Sequence, residues 1–198
     1  LNLIATSENT ASVGQVIVDA SLVTVEKVKP VADAGGQTRA HLGGAFVINA
    51  DHADATARST NTAESAALSF ELNLVDIDLS EKSASTTHVT EAFVGQGANL
   101  TVSGALNLKA SSDNEATIDQ ITPLDLGAVD LNFVKSTANA GGVTSAYVME
   151  DADIRAAAIT ADASAENDAS VDRFQFAASV FSLQEAEPTA ITSHQVGA

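Results

Sequence analysis

The chain has 198 residues, a formal net charge of −17, and neither cysteine nor tryptophan; its isoelectric point is near 4.2. Nine scattered basic residues among 26 acidic ones cannot neutralise a run of phosphates, which excludes a nucleic-acid binder. The absence of cysteine excludes a disulfide framework and a thiolate metal site, and no apolar run approaches the roughly 18 residues of a transmembrane helix.

The first segment alternates. Leu3, Ala5, Ser7, Asn9, Ala11 and Val13 fall on one face, and Ile4, Thr6, Glu8, Thr10 and Ser12 on the other. Period 2 with one small, mostly apolar face predicts a half-buried strand, and a 3.6-residue period would scatter these positions. Its centre, Ala-x-x-x-Asn-x-Ala, recurs at 57–63, 110–116 and 163–169. The asparagines, Asn9, Asn61, Asn114 and Asn167, are 52, 53 and 53 residues apart. A near-constant period of this length marks a repeat architecture.

A second alternating run follows each time: Val16, Val18, Ala20 and Leu22, then a change of phase to Val23 and Val25. Its copies are Leu68, Phe70, Leu72, Leu74 then Val75, Ile77, Leu79; Leu124, Leu126, Ala128 then Val129, Leu131, Phe133; and Phe174, Phe176, Ala178, Val180 then Phe181, Leu183. Read as core-facing, these runs switch their inward face at 22–23, 74–75, 128–129 and 180–181, as a bulge or a sheet corner would require. Next comes a polar, Gly-containing stretch read as a turn, then Ala40-His41-Leu42, Ala92-Phe93-Val94 and Ala146-Tyr147-Val148. Short turns (Gly43-Gly44, Gly95-Gln96-Gly97, Met149-Glu150-Asp151) lead to strands starting Ala45-Phe46-Val47, Ala98-Asn99-Leu100 and Ala152-Asp153-Ile154.

A longer period overlies the first. Ala34-Gly35-Gly36 returns as Ala140-Gly141-Gly142, while Thr86-Thr87-His88 returns as Thr192-Ser193-His194. Ala40 to Ala146 and Ala92 to Ala198 both span 106 residues, so the unit of duplication is a pair of repeats. The chain opens inside a strand pattern and closes in register with Ala40, Ala92 and Ala146. The expectation is a section of a longer array, or a subunit whose ends meet other subunits.

The Asn column is expected to be a structural ladder of Asn9, Asn61, Asn114 and Asn167, whose amides pass hydrogen bonds along the stack. Two unlike coils per repeat are slightly preferred over one, since about 26 residues per coil is nearer a familiar size. His41 shares a column with Phe93 and Tyr147, which suggests flat packing residues. His88 and His194 are expected in turns. Asp51-His52-Ala53-Asp54 alone combines His with carboxylates, and a solvated edge is its expected setting. Glu8, Asp113 and Glu166 share one outward column with Thr60; Asp76, Asp78 and Glu81, and Glu150, Asp151 and Asp153, are further acidic groups. None matches a calcium-binding loop, so no cofactor is expected beyond diffuse divalent cations such as calcium. No nucleophile elbow, phosphate loop or dinucleotide fingerprint is present. The basic residues are too dispersed for the cleft of a polysaccharide lyase.

The cadence Ala92-Phe93-Val94-Gly95-Gln96-Gly97-Ala98-Asn99-Leu100-Thr101-Val102, continued by Leu106-Asn107-Leu108-Lys109-Ala110, resembles the large secreted β-helical adhesins of bacteria. These include filamentous-haemagglutinin-type proteins, leukotoxin-like filamentous adhesins and autotransporter passengers. The resemblance implies an extracellular fibre or stalk and transfers no functional residue.

The fold expected is all-β: a β-solenoid, of right-handed parallel β-helix type, in a single array over residues 1–198 with repeats near 1–52, 53–105, 106–158 and 159–198. The function expected is structural and non-catalytic: part of a secreted or surface-anchored, fibre-forming adhesin or matrix protein. Its partners would be itself, neighbouring repeats, surface glycans or host and neighbouring cells, with no nucleic acid and no membrane insertion. Two alternatives stand beside it. One is a carbohydrate-binding or carbohydrate-acting β-helix; the other is an antiparallel sandwich subunit that polymerises by strand exchange. Far-UV circular dichroism is expected to show strand and almost no helix; a helical content above about a fifth, against the third typical of globular domains, would refute the period-2 assignment.

Overall fold

The computed structural model describes residues 1–43 and 47–198, and the backbone alone at 122–125. Eight strands make up the described chain, with no helix among the described residues: β1 (Asn2–Glu26), β2 (Val31–Leu42), β3 (Val47–Ala50), β4 (Ala53–Val94), β5 (Asn99–Val102), β6 (Ala105–Val148), β7 (Asp153–Arg155) and β8 (Ala158–Gly197). The large sheet runs β1-β4-β6-β8, with β2 also beside β4; the small one runs β3-β5-β7.

Every described ladder is parallel. This overturns the antiparallel sandwich considered from sequence. The preference for two coils per repeat is overturned too. Asn9 pairs with Asn61, Asn61 with Asn114 and Asn114 with Asn167, so each repeat lies directly on the one before it and forms a single layer. The two halves of a repeat face each other across one layer, as Ser59 and Thr90 do, instead of stacking as two coils.

Within a layer the chain doubles back. Ser59 Oγ meets Thr90 Oγ1 at 2.7 Å, 31 residues on, and Ser112 Oγ meets Thr144 Oγ1 at 2.8 Å. The reversal falls at Leu74-Val75, where the inward positions pass from odd numbers (Asn73) to even ones (Asp76). The corner read from the paired apolar residues is therefore present, but the faces beside it are exchanged. Leu68, Phe70, Leu72 and Leu74 point outward, and Ser65, Ala67, Ser69, Glu71 and Asn73 point inward. The physical reason is continuity: β4 runs from Ala53 to Asn73 without a bulge, so the face that holds Asn61 is carried unchanged into the second run. The bulge lies in one layer only. The offset between β4 and β6 grows from 53 at Leu68–Ile121 to 54 at Phe70–Leu124, and the offset to β8 shrinks from 53 to 52 over the same stretch. The side chain of Leu124 lies outside the described residues.

The Gly-containing stretches read as turns are strand. Gly35-Gly36, Thr87-His88, Gly141-Gly142 and Ser193-His194 pair in register within β2, β4, β6 and β8. True turns occupy Gln96-Gly97 and Glu150-Asp151, where Gly97 and Asp151 take φ of 66° and 59°. Gly44, Ala45 and Phe46, assigned from sequence to a turn and a strand start, lie outside the described residues.

Two apolar cores fill the layers. One gathers Leu42, Ala53, Ala55, Ala57, Val94, Leu100, Leu106 and Leu108 near the small sheet. The other, Ala32, Ala34, Ala63, Ala84, Ala116, Ile118, Ala138 and Ala140, lies further out. Most of these side chains are single methyls, each contributing on the order of 0.8 kcal/mol when removed from water. Stability comes from their number and from a backbone whose hydrogen bonds are met layer by layer.

Candidate functional site: a polar column between two apolar cores

Between the two cores every layer carries a short polar row. Asn9 Nδ2 donates to Asn61 Oδ1 at 2.7 Å, Asn61 Nδ2 to Asn114 Oδ1 at 2.8 Å, and Asn114 Nδ2 to Asn167 Oδ1 at 2.8 Å. All three bonds run in one direction. The same amides of Asn9, Asn61 and Asn114 also donate to the serine two residues earlier, Ser7, Ser59 and Ser112, at 3.3, 3.1 and 3.1 Å. Asn61 and Asn114 are fully buried. Each serine faces a threonine across the layer, in the pairs Ser7–Thr38, Ser59–Thr90 and Ser112–Thr144. In the fourth layer Ala165 and Val196 stand at the corresponding places, so a hydroxyl pair is exchanged for an apolar pair as a unit and no lone hydroxyl is left.

Histidine completes the row in alternate layers. His88, 1% exposed, sits between Gly36 and Gly142, and His194 follows Gly142. Nε2 of His88 lies 2.8 Å from the Thr38 hydroxyl and Nε2 of His194 2.8 Å from that of Thr144; Nδ1 of His88 faces the Asn9 amide nitrogen at 3.3 Å. A methyl at Gly36 would come within 3.2 Å of the His88 ring, and one at Gly142 within 2.3 Å of the His88 carbonyl oxygen. Both glycines take positive φ, 145° and 149°. Each ring thus occupies the room left by the glycine of the layer before it, His88 at Gly36 and His194 at Gly142, where a methyl would come within 3.3 Å of the ring. This is the physical content of the 106-residue double period. Burial pulls both imidazoles below the ordinary histidine value, with a backbone hydrogen bond to Gly35 opposing it at His88.

The outer arm of each layer inverts the usual arrangement. Glu71, Asn73, Asp76, Asp78, Ser80 and Lys82 are buried, while Phe70, Leu72, Leu74 and Leu79 are exposed. Neighbouring layers repeat the outward choice in the columns Val16-Leu68-Ile121-Phe174 and Val25-Ile77-Leu131-Leu183. Burial, with the like charges of Asp130, Asp78 and Asp19 added, raises Asp76 above the ordinary aspartate value, against a hydrogen bond to Glu71 that lowers it. Burial also raises Asp78 and lowers Lys82, each partly offset by the charge of the other. Oδ2 of Asp76, Oδ1 of Asp130 and Oδ1 of Asn132 are buried without a hydrogen-bond partner among the described residues. Of the acidic group Asp76, Asp78 and Glu81, the first two are thus inward, whereas Glu81 is exposed and pairs with Lys29.

The remaining sequence candidates are packing and edge groups. His41, Phe93 and Tyr147 stack with ring centroids 5.3 and 5.2 Å apart. His52 is exposed and its Nδ1 accepts from the Ala105 N–H at 3.2 Å; Asp51 accepts from Ser103 and Asp54 from Asn107. Glu8, Thr60, Asp113 and Glu166 occupy one exposed column. The threonines Thr38, Thr90 and Thr144 escaped the sequence reading, although a hydroxyl recurring two residues after the Gly/His position was its available signal. Comparison with family models, with curated proteins and with solved structures finds no match to this chain.

Asn114→Asp places a charge among groups suited to amide pairing. It is expected to cost about 1–3 kcal/mol or more, because Asn167 Oδ1 and Ser112 Oγ lose their donor and a carboxylate is buried in the column, although Asn61 can still donate to it; Ser111→Asp, on the outward face of the same strand, should stay within about 0.5 kcal/mol. Equal melting temperatures at neutral pH would contradict an internal ladder. The histidines give a pH dependence of definite sign. Their folded-state values lie below the unfolded value of about 6.5, so their contribution is fully present above that pH and is lost as pH falls below it through their lower folded-state values. Asp76 and Asp78, raised by burial, act oppositely at lower pH: their contribution is greatest when protonated and is lost as pH rises. Melting curves between pH 7.5 and 5.5 should therefore flatten in a His88→Asn, His194→Asn double variant; an unchanged slope would show that the imidazoles do not titrate with unfolding.

Proposed function

We propose that this chain is a β-solenoid of right-handed parallel β-helix type, serving as a structural, non-catalytic section of a secreted or surface-anchored fibre: an adhesin or matrix protein. One observation carries the reading. The Asn column passes through all four layers, the ladders keep their register on either side of the third-layer bulge, and among the described residues no layer departs from the repeat to bring reactive groups together. An enzyme built on stacked layers needs such a break, because converging acids, bases or ligands differ from the residues above and below them. A fibre needs the opposite, since identical layers extend length at constant cross-section.

The surface supports the same reading. Exposed carboxylates such as Glu8, Asp113 and Glu166 hydrate one side of the stack. The apolar columns of the arm offer a contact surface to other proteins, glycans or cells. The protein acts outside the cell, where such contacts are made, and needs no cofactor; calcium and similar ions serve only as diffuse counter-ions.

A shallow groove on the arm, about 390 Å³, is lined by Leu79, Glu81, Phe133, Lys135, Glu185 and Glu187 and is where carbohydrate chemistry would be sought. Incubation with a panel of polysaccharides, followed by reducing-end detection, is expected to give no rise above buffer. Steady release of sugar ends, abolished by Glu187→Gln, would replace the structural reading with a glycan-acting one.

A further inference from the structure

We propose that the arm is a lipid-binding wedge, whose apolar tip enters one leaflet of a zwitterionic phospholipid membrane without crossing the bilayer. The proposal rests on the surface-fibre reading above and names the partner of the arm.

The arm is built for a solvent other than water. Its two walls are the runs that enter and leave the reversal at Leu74-Val75, and both inner layers make the same outward choice on them. Every outward residue of β4 between Glu64 and Glu81 is apolar, and Phe70, Leu72, Leu74 and Leu79 are 39%, 57%, 54% and 41% exposed. In β6 the outward residues described between Asp119 and Lys135 are apolar as well, from Ile121 to Phe133. The inward residues are the polar ones: Glu71, Asn73, Asp76 and Asp78 in one layer, Asp130 and Asn132 in the next. An arm bathed in water gains nothing from this inversion, whereas strands that face hydrocarbon alternate apolar-out and polar-in. Over most of the arm β4 is laddered to β1 and β6, and β6 to β8. The backbone groups of the inner layers are thus paired with each other, as a segment in hydrocarbon requires.

Shape and charge select lipid over protein. The apolar surface covers both walls and turns round the tip. A flat partner would cover one wall only, whereas a fluid acyl phase closes on all of it. Glu81, the first charge on the outside of the returning wall, lies six residues past Val75, which is about 20 Å of strand. One leaflet contributes about 15 Å of hydrocarbon, so a wedge seated to its tip puts Glu81 among the headgroups. There the charges alternate from layer to layer in the column Lys29-Glu81-Lys135-Glu187. Neighbouring opposite charges match a phosphocholine headgroup, which carries one of each sign. The net charge of −17 repels anionic lipid, and it equally repels a second copy of the chain. A spanning helix needs a long apolar run and a wedge of alternating strands does not, so the expectation of no membrane insertion, which rests on the missing run, does not reach this arm.

The test is co-flotation with phosphatidylcholine vesicles on a density gradient, with lipid-free sedimentation of the same samples. Leu72→Asp puts a charge on the outward wall near the tip, at a position already open to water in the free protein. Thr60→Asp puts the same charge on the exposed column of the same layer, outside the arm. The native chain and Thr60→Asp are expected to float with the vesicles, less so when phosphatidylglycerol is mixed in. Leu72→Asp should bind about a hundredfold more weakly, because the wedge would carry a charge into hydrocarbon, while its circular dichroism and melting temperature stay native. Because the chain has no cysteine, an environment-sensitive dye can be attached at a single site, through Leu72→Cys or Thr60→Cys. Only the first should shift to the blue on vesicles and be quenched by lipids brominated in their tails. The proposal is overturned by a native chain that stays in the buffer, or by a Leu72→Cys dye that remains in a water-like setting. Equal binding by the two aspartate variants would overturn it as adsorption through another face. A lipid-free assembly that Leu72→Asp abolishes would overturn it by showing that a second copy covers the arm. None of these results bears on the release of sugar ends, so the lipid contact can fail while the fibre reading stands.

Discussion

A carboxamide can give and receive hydrogen bonds along a single axis only when its neighbours, one strand spacing away on either side, are carboxamides in the same orientation. The buried column of Asn61 and Asn114, continued by Asn9 and Asn167, imposes that condition on four layers at once. A slip of one residue in any ladder would turn the asparagine outward and leave an amide orphaned between alanine cores. Register is therefore held by a polar constraint in an interior where methyl groups, being nearly interchangeable, discriminate poorly between registers. The serine–threonine pairs and the histidines extend the same constraint across the layer, tying the strand that enters the reversal to the one that leaves it.

The Gly/His alternation shows why the layers come in pairs. In the enclosed polar row the imidazole lies where a side chain of the adjacent layer would stand: a methyl at Gly36 would come within 3.2 Å of the His88 ring. Placing it over a residue without Cβ removes the conflict. Glycine in mid-strand carries an entropic cost, and here that cost is offset by a ring that reaches the threonine of the adjacent layer. The single bulge in the third layer, by contrast, is absorbed locally: one extra residue is admitted near Thr122, the next layer drops back, and the Asn and His columns on either side keep their alignment.

The arm follows different physics. Its interior holds carboxylates, amides and a lysine, and its exterior holds valine, leucine and phenylalanine. Raised carboxylates and a lowered lysine are the electrostatic signature of that inversion, since burial disfavours every charged form while opposite charges partly restore it. Outward apolar columns repeating from layer to layer concentrate contact surface on one part of the molecule. A column that is apolar in one layer is apolar in the next, so the contact surface grows in proportion to length.

Sequence by itself determined the strand content, the repeat length and the identity of the aligned columns. Period-2 alternation and a recurring Asn are properties of single positions and their spacing, and parallel in-register stacking converts spacing directly into contact. The flat stack of His41, Phe93 and Tyr147 was legible for the same reason. Tertiary structure alone decided which face of the second run is inward. Alternation gives two faces and does not label them, and the label came from Asn61, seven residues and more away, through a strand that never bulges before Asn73. It also decided that glycine-rich segments lie within strands. Two adjacent glycines read as a turn when only local flexibility is counted, yet Gly142 is required by the His88 carbonyl of the layer beside it, a contact between residues more than fifty positions apart that no local pattern contains.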